Sequence, residues 1–310
     1  MNNHDVDDRD GEGGTEAPSL FIPYWTKPLA NGLPRDDGTV RPLPDDVASG
    51  VVGWLCPSIQ TTEYTPGADL TVRVEVGNTG GGSASSLAIV SVWWSEPHAA
   101  FSKSDLKLLG TVTIAVPPRG QTRVSPAITG VIATASEHVC VLARVTHPLD
   151  ALDPAHQPPI DPHGSRHWAQ RNLLHASPST KPMTFPFLVG NPFQREEEFE
   201  LRVRPVGEAT LGDLARMVGA DPVILQDIRA AFVDTRDLIR SATREVRESH
   251  SLVLGAGVTR SLAVSIELSE MPSRGEFSAF QILQYRRGDR RIVGSLGVIV
   301  EADGNAYDRR

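Results

Sequence analysis

The sequence predicts a mainly β protein made of two tandem antiparallel β-sandwiches, the second carrying a helical insertion. Three observations predict it. Leu70, Val72, Val74 and Val76 alternate with Thr71, Arg73, Glu75 and Gly77, and period two with β-branched residues marks a strand buried on one face. The 24 prolines and 27 glycines cut the chain into short pieces, which favours strands and turns over long helices. A chain of 310 residues also exceeds one ordinary sandwich and suits two domains with tails.

The elements follow in order. Residues 1–18 hold seven acidic or basic side chains and almost no core former, so a disordered acidic tail is expected there. Residues 19–53 mix prolines with Leu20, Phe21, Ile22, Tyr24 and Trp25, an extended lead-in lying on the first domain. A first sandwich is expected over 54–190. Its strands are the Leu70–Val76 run, then Leu87–Trp94, apolar on both faces as in the middle of a sandwich, then Leu108–Val116, Val139–Thr146 and Ala169–Leu174. The glycines after Asn78 and the Val116-Pro117-Pro118-Arg119-Gly120 run supply turns. Met183, Phe185, Phe187 and Leu188 allow one more strand in the proline-rich stretch before the second domain.

The second sandwich is expected over 191–310. Phe199, Leu201 and Val203 alternate with Glu200, Arg202 and Arg204. Residues 210–248 read as helix, with Thr210 as N-cap, Leu211, Leu214, Met217 and Val218 at helical spacing, and Asp221-Pro222 opening a second piece. Leu225, Ile228, Phe232, Leu238 and Ile239 continue the apolar stripe. Strands resume at Leu262–Leu268, then Phe277–Tyr285 and Ile292–Val300 around an Arg286-Arg287-Gly288-Asp289 turn.

The segment Val74-Glu75-Val76-Gly77-Asn78-Thr79-Gly80, followed by the LAIVSVWW strand, resembles the core of the bacterial cell-adhesion-related domain called CARDB. Arg166–Leu173 looks like that family's Asn-rich final strand, retaining Asn172. The resemblance covers about 54–175 and implies an immunoglobulin-like fold, with a spacer or binding role. The second domain is similar to generic bacterial β-sandwiches, so both tandem sandwiches are expected to be immunoglobulin-like.

The formal net charge of −8 argues against nucleic-acid binding, since no excess of Lys and Arg exists to displace phosphate counterions. No apolar stretch is long enough to span a bilayer, so no membrane insertion is expected. A start without a basic run and an apolar core predicts a cytoplasmic location, with signal-independent export left open. Cys56 and Cys140 are expected to be buried free thiols. The alternative, an inter-sheet disulfide beside Trp93 or Trp94, is disfavoured by Cys56 preceding the first confident strand.

No catalytic constellation stands out. A GxSxG elbow is absent, the Gly81-Gly82-Ser83 run lacks the Lys of a phosphate loop, and Asp36-Asp37 and Asp45-Asp46 lie where nothing desolvates them. His163, His167 and His175 with Asp161 are the one metal candidate, without HExxH or CxxC spacing. The chain therefore reads as no enzyme, with no catalytic residue, no metal and no cofactor. Its expected role is a binding, adaptor or structural module contacting a protein or glycan partner through sandwich edges and loops, within a larger assembly or alone. A metal-dependent enzyme with a site near 161–175 is the alternative. Partner contacts are placed at Trp168, beside the long His147–Ser165 loop and equally suited to a core, and at Arg236 and Arg240 on the basic face of the helical insertion. That insertion either caps a sheet edge or binds a partner.

Overall fold

A computed structural model describes residues 17–29, 31–44, 50–151, 160–174, 183–224, 228–234, 249–268 and 271–301. The acidic tail up to residue 16, His175, Arg236 and Arg240 lie outside them. The protein is mainly β, with sheets packed face to face as in a β-sandwich. Among the described residues no helix is long and apolar enough to cross a membrane.

The first half runs β1 (Leu20–Phe21), β2 (Ile59–Thr61), β3 (Asp69–Asn78), β4 (Ser86–Ser95), β5 (Lys107–Val116), β6 (Gln121–Val124), β7 (Ile128–Val131), β8 (His138–Thr146) and β9 (Trp168–Leu174). Strand β3 pairs antiparallel with β1, β2, β6 and β7 in one sheet, while a second has the order β5-β4-β8-β9. Between them lies a core in which Leu70, Val72, Val74 and Val76 of β3 meet Ala88, Val90, Val92 and Trp94 of β4 and alternate residues of β8. The lead-in is part of this body. Leu20 and Phe21 pair with Asn78 and Gly77, and Ile22, Tyr24, Trp25 and Leu43 enter the core.

The second half runs β10 (Met183–Gly190), β11 (Glu197–Pro205), α1 (Glu208–Val218), β12 (Asp221–Pro222), β13 (Ile228–Asp234), β14 (Ser249–Leu254), β15 (Thr259–Leu268), β16 (Glu276–Arg286) and β17 (Ile292–Glu301). Strands β10-β15-β13 form a third sheet. In the fourth, β16 lies between β17 and β11, with β14 beyond β11 and the short β12 parallel to the start of β16. Phe187, Val189, Val264 and Ile266 of one sheet pack against Phe199, Leu201, Phe280 and Ile282 of the other. Strand β10, placed by sequence within residues 54–190, pairs along its whole length with β15.

The helical insertion differs from expectation. One α-helix is present among the described residues, and it ends at Val218 with the Gly219 N–H returning to the Ala215 carbonyl. Its N-cap is Gly207, not Thr210, whose hydroxyl donates to the Gly50 carbonyl at 3.1 Å. Asp221-Pro222 opens no helix. Asp221 N–H donates to Gly275 and Val223 N–H to Phe277, fixing a parallel bridge around a proline that lacks a donor. Ile228–Asp234 is a strand, with Ala230, Phe232 and Asp234 registered on Ile266, Val264 and Leu262. The four-residue step from Ile228 to Phe232 suits either structure, and seven ladder positions on β15 decide for the strand. The helix does cap a sheet: Leu211, Leu214 and Val218 cover Phe277, Ala279 and Ile299 on the outer face of β16 and β17.

Strand β4 also departs from the reading of two buried faces. Its Leu87 and Ile89 are 65 % and 45 % exposed. Strand β8 is covered on both sides, for a structural reason. Val139, Val141, Ala143 and Val145 face the first core, whereas Cys140 and Leu142 join Trp168 and the Ala99–Phe101 segment in the core of the second sheet pair.

Candidate functional site

The meeting of the two sheet pairs builds the site. After β4 the chain leaves its sheet as an arm, residues 96–106, and runs along the edge of β10. Leu188 N–H donates to the Pro97 carbonyl at 2.7 Å, Ala99 N–H to Leu188 at 2.9 Å, and Gly190 N–H to Ala100 at 2.9 Å. The far end of the arm is pinned by Asp105. Its Oδ2 accepts from the hydroxyls of Ser102 and Thr259, both at 2.6 Å, and lies 3.2 Å from His98 Nε2. Burial raises the Asp105 carboxyl, but the hydrogen bonds of His98, Ser102 and Thr259 outweigh it and hold it well below the usual range.

Other contacts lock the junction. Trp54, directly after the lead-in, donates its indole N–H to Gln281 Oε1 at 3.2 Å and covers Gly297. The Gln170 amide donates to the Ser295 carbonyl at 2.9 Å, which satisfies an acceptor on the outer edge of β17. Asp161 pairs with Arg291 and accepts the Gly164 N–H.

Where the arm begins, the junction leaves a groove of about 500 Å³ lined by Glu96 and Pro97, Ser136–His138, Phe185–Leu188 and Ser261. His138 opens β8 and is only 4 % exposed. Its ring lies 5.2 Å from that of Phe185, and neither ring nitrogen has a hydrogen-bond partner among the described residues. Burial pushes the imidazole down to about 3, so it is neutral near pH 7, with one donor and one acceptor enclosed and unpaired among the described residues. Leaving a buried polar atom unpaired costs about 1–3 kcal/mol. Glu96, held at Oε1 by the Thr134 hydroxyl at 2.6 Å, and the exposed Glu137 make the rim acidic. Among the described residues no Lys or Arg lines the groove.

Those residues singled out by sequence that are described lie elsewhere. Trp168 is 3 % exposed, packed against Trp93 at 5.4 Å between ring centres and under Arg144. It occupies the core position that the sequence left open, and a side chain so covered offers no surface anchor. The described metal candidates, Asp161, His163 and His167, do not converge. His163 Nε2 is 2.8 Å from Ser295 Oγ, and His167 Nε2 is 3.0 Å from Asp150 Oδ2. Burial and the Arg41 charge push His163 down to about 4. Among the described residues no group of three His, Cys, Asp or Glu side chains is placed to hold a metal.

Cys56 and Cys140 are buried and unbridged. Burial pushes both thiols up to about 12, which removes the reactive thiolate. A colorimetric disulfide reagent is expected to titrate neither cysteine in the folded protein and both in guanidinium. Reaction of either in the native state would contradict this.

Sequence reasoning missed His138, Glu96, Glu137 and the groove. One signal was available: a histidine heads the apolar run HVCVLARV, with Cys140 and Leu142 next on its own face of the strand.

No protein-family profile matches the chain, and no curated protein sequence matches it. Among solved structures it is similar to the CARDB domain of a Pyrococcus furiosus protein, solved with di-metal ions. Identity is 11 % and the TM-score 0.27, over 56 % of this chain and 97 % of that one. Red sea bream transglutaminase shares 13 % identity at a TM-score of 0.21, over 79 % of this chain and 32 % of that one. A tip adhesin from Pseudomonas aeruginosa shares 8 % at 0.23, over 94 % and 99 %. The family that residues 54–175 resemble is thus among the similar structures. Likeness at this level carries no argument about ligand or activity.

Proposed function

We propose that the chain is a non-catalytic binding module, two tandem immunoglobulin-like sandwiches locked at one junction, and that it meets its partner protein at the groove there. The observation that carries this reading is His138. A buried imidazole with both nitrogens unpaired is a cost to the fold, and a ligand that pairs them would offset it. Support comes also from the engagement of Asp161, His163 and His167 in contacts that hold the fold, which leaves the enzyme alternative without an assembled set of ligands among the described residues.

The test is photo-crosslinking from a benzophenone amino acid placed at Glu137, on the groove rim, or at Thr113, on the distant β5 strand. In extracts of the source cells the Glu137 position is expected to give a discrete protein adduct and the Thr113 position none. Equal adducts from both positions, or none from Glu137, would contradict the reading. Metal analysis of the same protein, purified without chelator, is expected to find no stoichiometric zinc. A tightly held equivalent would revive the metal-dependent enzyme.

A further inference from the structure

We propose that the groove takes an extended peptide segment of the partner, with a lysine or arginine side chain lying between Glu96 and Glu137 and a polar group of the segment on His138. The inference rests on the reading of the groove as the partner site and names the chemistry that fills it.

The backbone of β10 supplies the first argument. Leu188 and Gly190 direct their backbone groups at the arm, and a strand alternates the direction of those groups residue by residue. Thr184 and Pro186, of the same parity, therefore direct theirs along the same edge, away from β15. Pro186 brings no N–H, as expected of proline on an unpaired edge. Among the described residues what remains is one donor, Thr184 N–H, and two acceptors, the Thr184 and Pro186 carbonyls. Both residues are exposed. The arm already adds to this edge as a parallel strand, with His98 opposite Leu188. A second extended segment placed before Pro97 would continue the same line. This is strand addition to a sheet edge, with the backbone giving affinity and a pocket giving selectivity.

The pocket supplies the second argument. Phe185, Phe187, Pro97 and Leu188 offer apolar surface for a side-chain stem, and the rim carries two carboxylates without a compensating cation among the described lining residues. A long stem ending in positive charge matches that distribution. Nucleic acid is opposed by the same carboxylates. The neutral His138 ring serves a segment that brings both a donor and an acceptor, as any peptide unit does.

The test uses full-length protein carrying 15N-histidine and three pools of acetylated, amidated pentapeptides, random except for a central lysine, norleucine or glutamate. The His138 signals are assigned by their loss in His138→Gln. The lysine pool is expected to move them and to bind about tenfold more tightly than the norleucine pool, the discrimination worth about 1.4 kcal/mol. The glutamate pool is expected to leave them in place. In a Glu96→Gln/Glu137→Gln variant, where the new amide oxygen at the first position still accepts from the Thr134 hydroxyl, lysine and norleucine pools should bind alike. Equal binding of all three pools to the unaltered protein would overturn the charge argument. If no pool moves His138 while the Glu137 crosslink still captures a partner, the peptide inference falls and the groove reading stands. If the crosslink also fails, both fall.

Discussion

Lowering the pH from 6.5 to 4.5 is expected to remove about 5 kcal/mol of folding stability through two histidines. His138 and His163 are held at about 3 and about 4 by burial, against about 6.5 in an unfolded chain. Below pH 6.5 the unfolded chain therefore binds two protons that the folded chain does not. Stability then falls with falling pH by up to about 1.4 kcal/mol per site and per pH unit, until each folded value is passed. The carboxylates do not mimic this. Asp150, raised by burial but held low by His167, the Leu20 N–H and Arg166, contributes stability that is complete above its unfolded value near 3.8 and is lost only below it, and Asp105 behaves likewise.

Urea unfolding followed from pH 7 to 4.5 checks the slope. Replacing His138 with Phe should halve it. The same substitution should stabilise the protein at pH 7 by about 1 kcal/mol, because an unpaired polar ring gives way to an apolar one among Phe185 and Phe187. A gain in stability that weakens the binding of the lysine and norleucine pools alike is the signature of a residue kept for binding. An unchanged slope would show that the ring is solvated or paired.

The second large effect belongs to Gly294→Val. A Cβ built on Gly294 would lie well inside contact distance of the Ala99 carbonyl oxygen and the Ala100 Cα. Those are backbone atoms of the arm, which hydrogen bonds to Leu188 and Gly190 hold in place. Neither side can yield by turning a rotamer. Overpacking costs typically about 1–3 kcal/mol, and a backbone clash at the junction should reach at least the top of that range. The expected result is a lowered melting temperature together with loss of the His138 shift on peptide binding, since the arm forms one wall of the groove. Glu301→Gln, at the end of the same strand, is the comparison and should leave the His138 shift as it was. A Gly294→Val protein as stable as the original would mean that the arm does not pack against β17 at Gly294.

Much of the fold was legible because long strands announce themselves. Strands β3, β4, β5, β8, β9, β11, β15, β16 and β17 each carry seven or more residues with an apolar face, and their spans agree with the periodicity within a few residues. Strands β1, β2, β6 and β7 have two to four residues each, too few for any period to show. The 228–234 stretch failed for another reason: Ile228 and Phe232, four residues apart, fit a helix stripe and a strand face equally, and only the partner strand β15 selects between them. The site was almost wholly illegible. Its lining comes from four segments separated by tens of residues, around 96, 137, 186 and 261, and nothing local links them. The histidines that did stand out, His163 and His167, owe their proximity to chain neighbourhood and serve Ser295 and Asp150.

The groove is formed by residues from both sheet pairs, so it persists only while the two are held in one orientation. Residual dipolar couplings of backbone amides, measured on the full chain in one alignment medium, address this directly. A single alignment tensor is expected to fit the amides of β3, β4 and β8 together with those of β11, β15 and β16. Two tensors of different magnitude, one for each sheet pair, would contradict a locked junction.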